Sequence, residues 1–207
     1  MASETILDVA IRQFGDHGFE GASTRAIAAA ANTVMSSITY HFGSKEGLYL
    51  ACADHIAARL AERFTPIMAE IGSPADMDGE QAIYATSTLI EQIALLMMSD
   101  ESRDWTSFLI REQQNPGPAF DRLYSGIMHH MVELLRALIA RARPELDTDT
   151  IRALGIGIFG QALVLRAARA TVIRVLGVPE IGETEKKLLL NQIRHNIAAL
   201  LRSDPPS

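Results

Sequence analysis

Three observations predict an all-α fold. Apolar residues recur at three- and four-residue spacing along nearly the whole chain, no stretch alternates with the two-residue period of a strand, and Gly, Pro and Asn fall at the ends of the periodic runs. At 207 residues, 48% hydrophobic and 21% charged, the chain is long and apolar enough to bury a full core in one or two globular domains. Its formal net charge of -6 and pI near 5.5 exclude a protein coated in basic surface, although a local patch for a polyanion stays open.

Ile6, Leu7, Ala10, Ile11 and Phe14 form one apolar stripe, and Gly15 and Gly18 are the expected stop signals of this first helix. Ser23 and Thr24 cap a second helix over residues 25–31, with Ile27 and the alanines as its buried face. Asn32, the residue that tolerates a left-handed turn best after glycine, ends it. A third short helix over residues 35–41 turns Ile38 and Phe42 inward. Ser36, Ser37, Thr39, Tyr40 and His41 are left largely outward.

Two short helices joined by a tight turn and braced by a preceding helix form a helix-turn-helix, whose second helix enters the major groove of DNA. The polar cluster then has a use. Small hydroxyls permit close approach to base edges, a Thr methyl suits thymine, and Tyr40 and His41 reach phosphates or bases. Gly43 ends this helix, Ser44 caps the next, and Lys45 adds a cation beside free N–H groups at its start. In the first 50 residues Arg12, Arg25 and Lys45 stand against Glu4, Asp8, Asp16, Glu20 and Glu46, so affinity for DNA has to come from placement and not from net charge.

The run GFEGASTRAIAAAANTVMSSITYHFGSKEGLYLA resembles the DNA-binding region of TetR-type transcriptional regulators, and the resemblance covers about residues 4–52. Asn32 stands where that family usually has Gly, and Thr39 where many members have Tyr. The Asn32, Ile38-Thr39-Tyr40, Phe42-Gly43-Ser44-Lys45-Glu46 pattern, with REQQNPGPAFDRLY from residue 111, is similar to the CecR-like branch. The resemblance implies that Ser23, Thr24 and Arg25 meet the DNA backbone and at times a guanine. It places Ser36, Ser37, Thr39, Tyr40 and His41 on the recognition helix, and it makes Lys45 a phosphate-binding lysine. It also implies a homodimer on a palindromic operator, most often a repressor that leaves DNA when a small-molecule effector binds.

A longer helix over 48–68 carries Leu48, Ile56, Leu60 and Phe64 on one side and links two expected domains: residues 1–47, which bind DNA, and residues 48–207, a helical bundle for effector binding and dimerisation. GSPADMDG, residues 72–79, is the clearest linker. Further helices are expected at 80–98, 101–114, 118–142, 148–176 and 183–202. Catalytic patterns are lacking: there is no phosphate loop, no HExxH and no GxSxG, so an enzyme is not expected, nor is a cofactor. His129 and His130 are adjacent and point in different directions on a helix, which argues against a shared metal. Cys52, the sole cysteine, reads as a core residue and not as a redox sensor. No leader peptide opens the chain, and the longest apolar run, residues 153–165, is short of a membrane span, so the expected location is the cytoplasm.

For a small ligand the expected lining comes from Trp105, Phe108, Arg111, Gln161 and Arg166. Glu112 adds a further polar group, and Met97, Met98, Met128, Met131 and Phe159 supply soft or aromatic surface. Polar groups among apolar helices need either internal hydrogen-bond partners or a ligand, and both stay open here. Residues 153–165 are apolar nearly all round, with Gly155, Gly157 and Gly160 permitting close approach; Leu189, Ile193, Ile197 and Leu200 offer a second stripe, so these two helices are expected to form a dimer interface. The alternative is a DNA-binding regulator whose second domain binds a protein partner and no small ligand.

Overall fold

A computed structural model describes residues 2–100 and 102–203, which hold eleven α-helices and no strand. The predicted all-α class is therefore observed. Helix α1 (Ala2–Gly21) buries Ile6, Ala10, Ile11 and Phe14. Gly15 does not stop it, contrary to the sequence expectation. A Cβ at Gly15 would lie 3.1 Å from Ser107 Cβ and 3.2 Å from the Asp104 carbonyl, so the glycine serves a close helix crossing instead. The bend comes at Gly18, with φ 72° and ψ 177°.

Helix α2 (Thr24–Ala30) starts where the Ser23 hydroxyl accepts the Ala26 N–H at 3.4 Å. Asn32, at φ 51°, is the one non-glycine residue with positive φ among those described, as its place after the helix predicts. Helix α3 (Met35–Phe42) ends at Gly43, φ 74°, and the Ser44 hydroxyl accepts the Gly47 N–H at 3.0 Å to open α4 (Lys45–Ile71). Leu48, Ile56, Leu60 and Phe64 of α4 are all buried, the stripe read from the sequence.

Gly72 and a 3-10 turn at Pro74–Asp76 form the predicted linker. A capping box follows: Asp78 and Gln81 exchange backbone-to-side-chain bonds of 2.8 Å each and start α5 (Gly79–Met98). Helix α6 is Arg103–Gln114; the expected start at residue 101 lies outside the described residues.

Two expected helices are broken. Residues 118–142 divide into α7 (Pro118–Leu123), a π turn at Tyr124–Met128 with Gly126 at ψ -139°, and α8 (His129–Ala142). Residues 148–176 divide at Ala168 into α9 (Thr148–Ala167) and α10 (Arg169–Leu176). At that break Arg166 and Arg169 donate to the carbonyls of Ser99 and Met98 at the end of α5, contacts that no local pattern announces. Helix α11 is Glu183–Arg202.

Two compact units emerge. The first holds residues 2–65 and 102–129, the second residues 66–100 and 130–203, and the expected division at 47/48 falls within α4. In the first, α1 packs along α6, and Tyr49 meets Phe14, Phe19 and Phe108 at ring-centroid distances of 4.8, 5.2 and 4.7 Å. In the second, α5 packs on α9 and α11, burying Leu89, Ile90, Ile158 and Ile197. Each such side chain contributes roughly 1.5–3 kcal/mol. Glu91–Arg194 and Glu80–Arg202 add two-pronged ion pairs between α5 and α11.

Of the dimer stripe expected on the last helix, Leu200 is exposed and Leu189 half-buried, but the other two residues are taken up inside the chain. Ile193 and Ile197 point into the second unit's own core, because α11 spends that face on α5. On α9, by contrast, Ile156 is 75% exposed and Val164 45%, and an added Cβ at Gly157 or Gly160 would meet nothing within 4 Å. Only 22% of an 18-residue window of α9 is buried. Against the expectation from its apolar run, this 20-residue helix, at mean hydropathy 1.3, is by length and composition alone long and apolar enough to cross a membrane.

Candidate nucleic-acid interface

The helix-turn-helix is assembled by local rules. Ile27 and Ala28 of α2 and Ile38 of α3 are buried, with α2 packed on α1 and α3 on α2, while Asn32 N–H and Thr33 N–H bond back to the Ala29 and Ala28 carbonyls at 3.1 and 2.9 Å. What the turn presents outward is the predicted polar face. Ser36, Thr39 and His41 are exposed, Ser37 is half-buried, and Tyr40 is 85% exposed with its ring 5.1 Å from that of His41.

At eight residues, α3 is about 12 Å long, which matches a major groove about 12 Å wide. Neither α2 nor α3 contains a carboxylate, so the face carries only Arg25 and the His41 imidazole in a protein of net charge -6. The Thr39 hydroxyl donates to the Met35 carbonyl at 3.3 Å, which leaves its methyl for contact. Ser23 spends its oxygen as the α2 cap, Thr24 is half-buried at the first position of α2, and Arg25 is exposed beside it.

Lys45 has an internal partner. Its ammonium donates to the Glu20 carbonyl at 3.3 Å and lies 4.8 Å from the centre of the Phe19 ring. The side chain is thereby held at the end of α1.

The five residues expected to line a ligand site are divided between the units. Trp105, Phe108 and Arg111 belong to the first, Gln161 and Arg166 to the second. Trp105 and Phe108 are buried, the former under the Arg59 guanidinium at 5.6 Å. Gln161 accepts from Asn196 at 3.0 Å, and Arg166 donates to the Ser99 carbonyl, so both have structural work. Arg111 donates to the carbonyls of Gly15 and Asp16 and also faces an open cleft of about 620 Å³ in the first unit.

Sequence reasoning missed the residue that organises this region. Tyr49 donates its hydroxyl to the carboxylate of Glu112, which is 5% exposed. Burial first, then that bond, pushes the Tyr49 pKa well above its ordinary value of 10.0. The only local hint is a Tyr one residue past an apolar stripe position, which does not disclose a partner 63 residues away. Cys52 is fully buried, and burial raises its thiol far above the usual range, which suits a core residue and not a redox sensor. No group of three His, Cys, Asp or Glu among the described residues is placed to hold a metal.

Comparison with known proteins agrees with this geometry. Residues 6–52 match the model for bacterial regulatory proteins of the tetR family, and residues 83–203 match the C-terminal domain of the HTH-type transcriptional dual regulator CecR. CecR of Shigella flexneri is 31% identical over 199 residues, covering 92% of this chain and 86% of that protein. The transcriptional repressor AcnR of Corynebacterium efficiens is 31% identical over 140 residues, covering 67% and 64%. Among solved structures, AibR in complex with isovaleryl coenzyme A and operator DNA superposes with a TM-score of 0.70 at 15% identity, covering 95% of this chain and 97% of that one. The chain belongs to the TetR family of bacterial transcriptional regulators, in its CecR-like branch.

Proposed function

We propose that the chain is a homodimeric repressor that binds a palindromic operator through α2 and α3 and leaves it when a small molecule binds. The observation that carries the DNA reading is the acid-free polar face of α3, presented by a turn in which every buried position is apolar. Ser36, Ser37, Thr39, Tyr40 and His41 read or touch the groove. Ser23, Thr24 and Arg25 meet the backbone, and Lys45 neutralises a phosphate. Residues 1–47 are the DNA-binding part and residues 48–207 the sensing and dimerising part.

Dimerisation is supported by the uncovered apolar face of α9, with Ile156 and Val164 outward and Gly157 and Gly160 open to a facing helix. A second copy on this face, rather than lipid, accounts for the Asp149, Arg152 and Gln161 side chains on the same helix. The protein then works in the cytoplasm, where DNA is reached. Release by an effector requires that the effector prefer the unbound conformation, and a hundredfold preference corresponds to about 2.7 kcal/mol of coupling. Trp105, Phe108, Arg111, Gln161 and Arg166 are the residues proposed to respond to it. AibR, whose structure holds both isovaleryl coenzyme A and operator DNA, lends support to a ligand-responsive reading on this fold.

Selection of bound duplexes from a random DNA library tests the proposal. It succeeds if one palindromic motif is enriched and the Tyr40→Ala protein binds that motif at least tenfold more weakly. Enrichment of no motif refutes it.

A further inference from the structure

The cleft in the first unit has a composition that the DNA-binding function does not use. Its walls come from the bent last turns of α1, the first turns of α4, the end of α6 and the loop before α7. At about 620 Å³ it lies within the ordinary range for sites of small organic molecules, about 300–1,000 Å³.

Three carboxylates face it: Glu20, Glu46 and Glu112. Glu20 and Glu46 are exposed and have no ion-pair partner among the described residues, and Glu112 is buried with one oxygen occupied by the Tyr49 hydroxyl. Against them stands Arg111, whose Nη2 is directed to the Gly15 and Asp16 carbonyls at 3.1 and 3.2 Å. His17 and Asn115 complete the polar lining, so the cleft sets three carboxylates against a single guanidinium. Phe19 brings an aromatic ring to the wall, with the Lys45 ammonium 4.8 Å from its centre. Leu50, Pro118 and Ala119 add apolar surface.

We propose that this cleft binds an organic cation with an apolar body, the charge set against Glu20 and Glu46 and the body against Leu50, Pro118 and Ala119. The position gives such a ligand leverage. Arg111 and Glu112, adjacent on α6, hold α1 through the Gly15 and Asp16 carbonyls and α4 through Tyr49, so an occupant touches the residues that frame the helix-turn-helix.

Calorimetric titration of the full chain without DNA tests this, so its outcome does not depend on the operator or on effector release. The probes are 4-phenylbutylamine and 4-phenylbutyrate, which share an apolar body and differ in charge. The amine is expected to bind at least tenfold more tightly than the carboxylate. The Glu20→Gln/Glu46→Gln protein, whose changes lie at exposed positions, is expected to bind the amine at least tenfold more weakly. An Asp149→Asn/Glu183→Gln protein, which removes the same charge from the second unit, is expected to bind it as the unaltered chain does. Failure of the amine to bind at millimolar concentration overturns the proposal. So does equal or tighter binding of the carboxylate, unchanged affinity in the first variant, or an equal loss in the second.

Discussion

The guanidinium of Arg111 donates to the carbonyl of Gly15 at 3.1 Å and to that of Asp16 at 3.2 Å, closing the end of α1 from a helix more than ninety residues away in sequence. Helix termini leave carbonyls without intrahelical partners, and the bend at Gly18 exposes these two early. A cation there satisfies them and meets the negative end of the helix dipole.

Removing that cation has a defined consequence. Arg111→Ala is expected to lower stability by about 1–3 kcal/mol, the cost of leaving partly buried acceptors without a charged donor. Arg111→Lys is expected to recover only part, since one ammonium does not reproduce the planar fork. Thermal unfolding followed by circular dichroism measures both, and an Arg111→Ala protein as stable as the parent would show the bonds to be incidental.

The Tyr49–Glu112 pair predicts a pH dependence. The folded-state pKa of Tyr49 lies above its unfolded value of 10.0, so the stability it contributes is fully present below pH 10 and is lost as pH rises towards the folded value. Denaturant titrations between pH 9 and pH 11 are expected to show stability falling in the parent and falling less steeply in Tyr49→Phe. At neutral pH the same substitution is expected to cost about 1–3 kcal/mol, because the buried Glu112 carboxyl loses its hydrogen-bond donor.

How much of the molecule is legible in its sequence depends on the range of the interaction. Asn32, Ile38, Ser44 and the Asp78 capping box act on neighbours within a few residues, so the helix-turn-helix and the linker can be read in the order of residue types. Gly15 reads as a stop because a glycine that ends a helix and one that lets another helix approach look alike in sequence; the nearness of Asp104 and Ser107 on α6 distinguishes them. Ile193 and Ile197 have the same spacing whether a helix faces its own core or a second copy. The breaks at Gly126 and Ala168 and the cleft around Glu112 rest on packing between distant segments, which periodicity does not encode.

Lys45 is expected to act on DNA through charge. Lys45→Ala should weaken binding to all duplexes by a similar factor and flatten the dependence of log affinity on log salt by about 0.9 for each phosphate that is no longer neutralised. Ser37→Ala is expected to change the preferred base at one position instead, with the salt slope kept. Filter-binding titrations across a range of salt concentrations separate the two, and a Lys45→Ala protein with an unchanged slope would place its ammonium away from the phosphates, on Phe19 and the Glu20 carbonyl.

Sedimentation of the protein with the palindromic duplex recovered by selection bears most directly on a regulator that reads DNA as a pair. Two chains per duplex are expected, on half-sites spaced about one helical turn apart, because a single eight-residue helix reads too few base pairs for specificity. An Ile156→Glu chain, altered on the exposed face of α9, is expected to remain helical, sediment as a monomer and lose the specific complex. A parent chain that sediments as a monomer and still binds the duplex tightly, one copy per site, would contradict it.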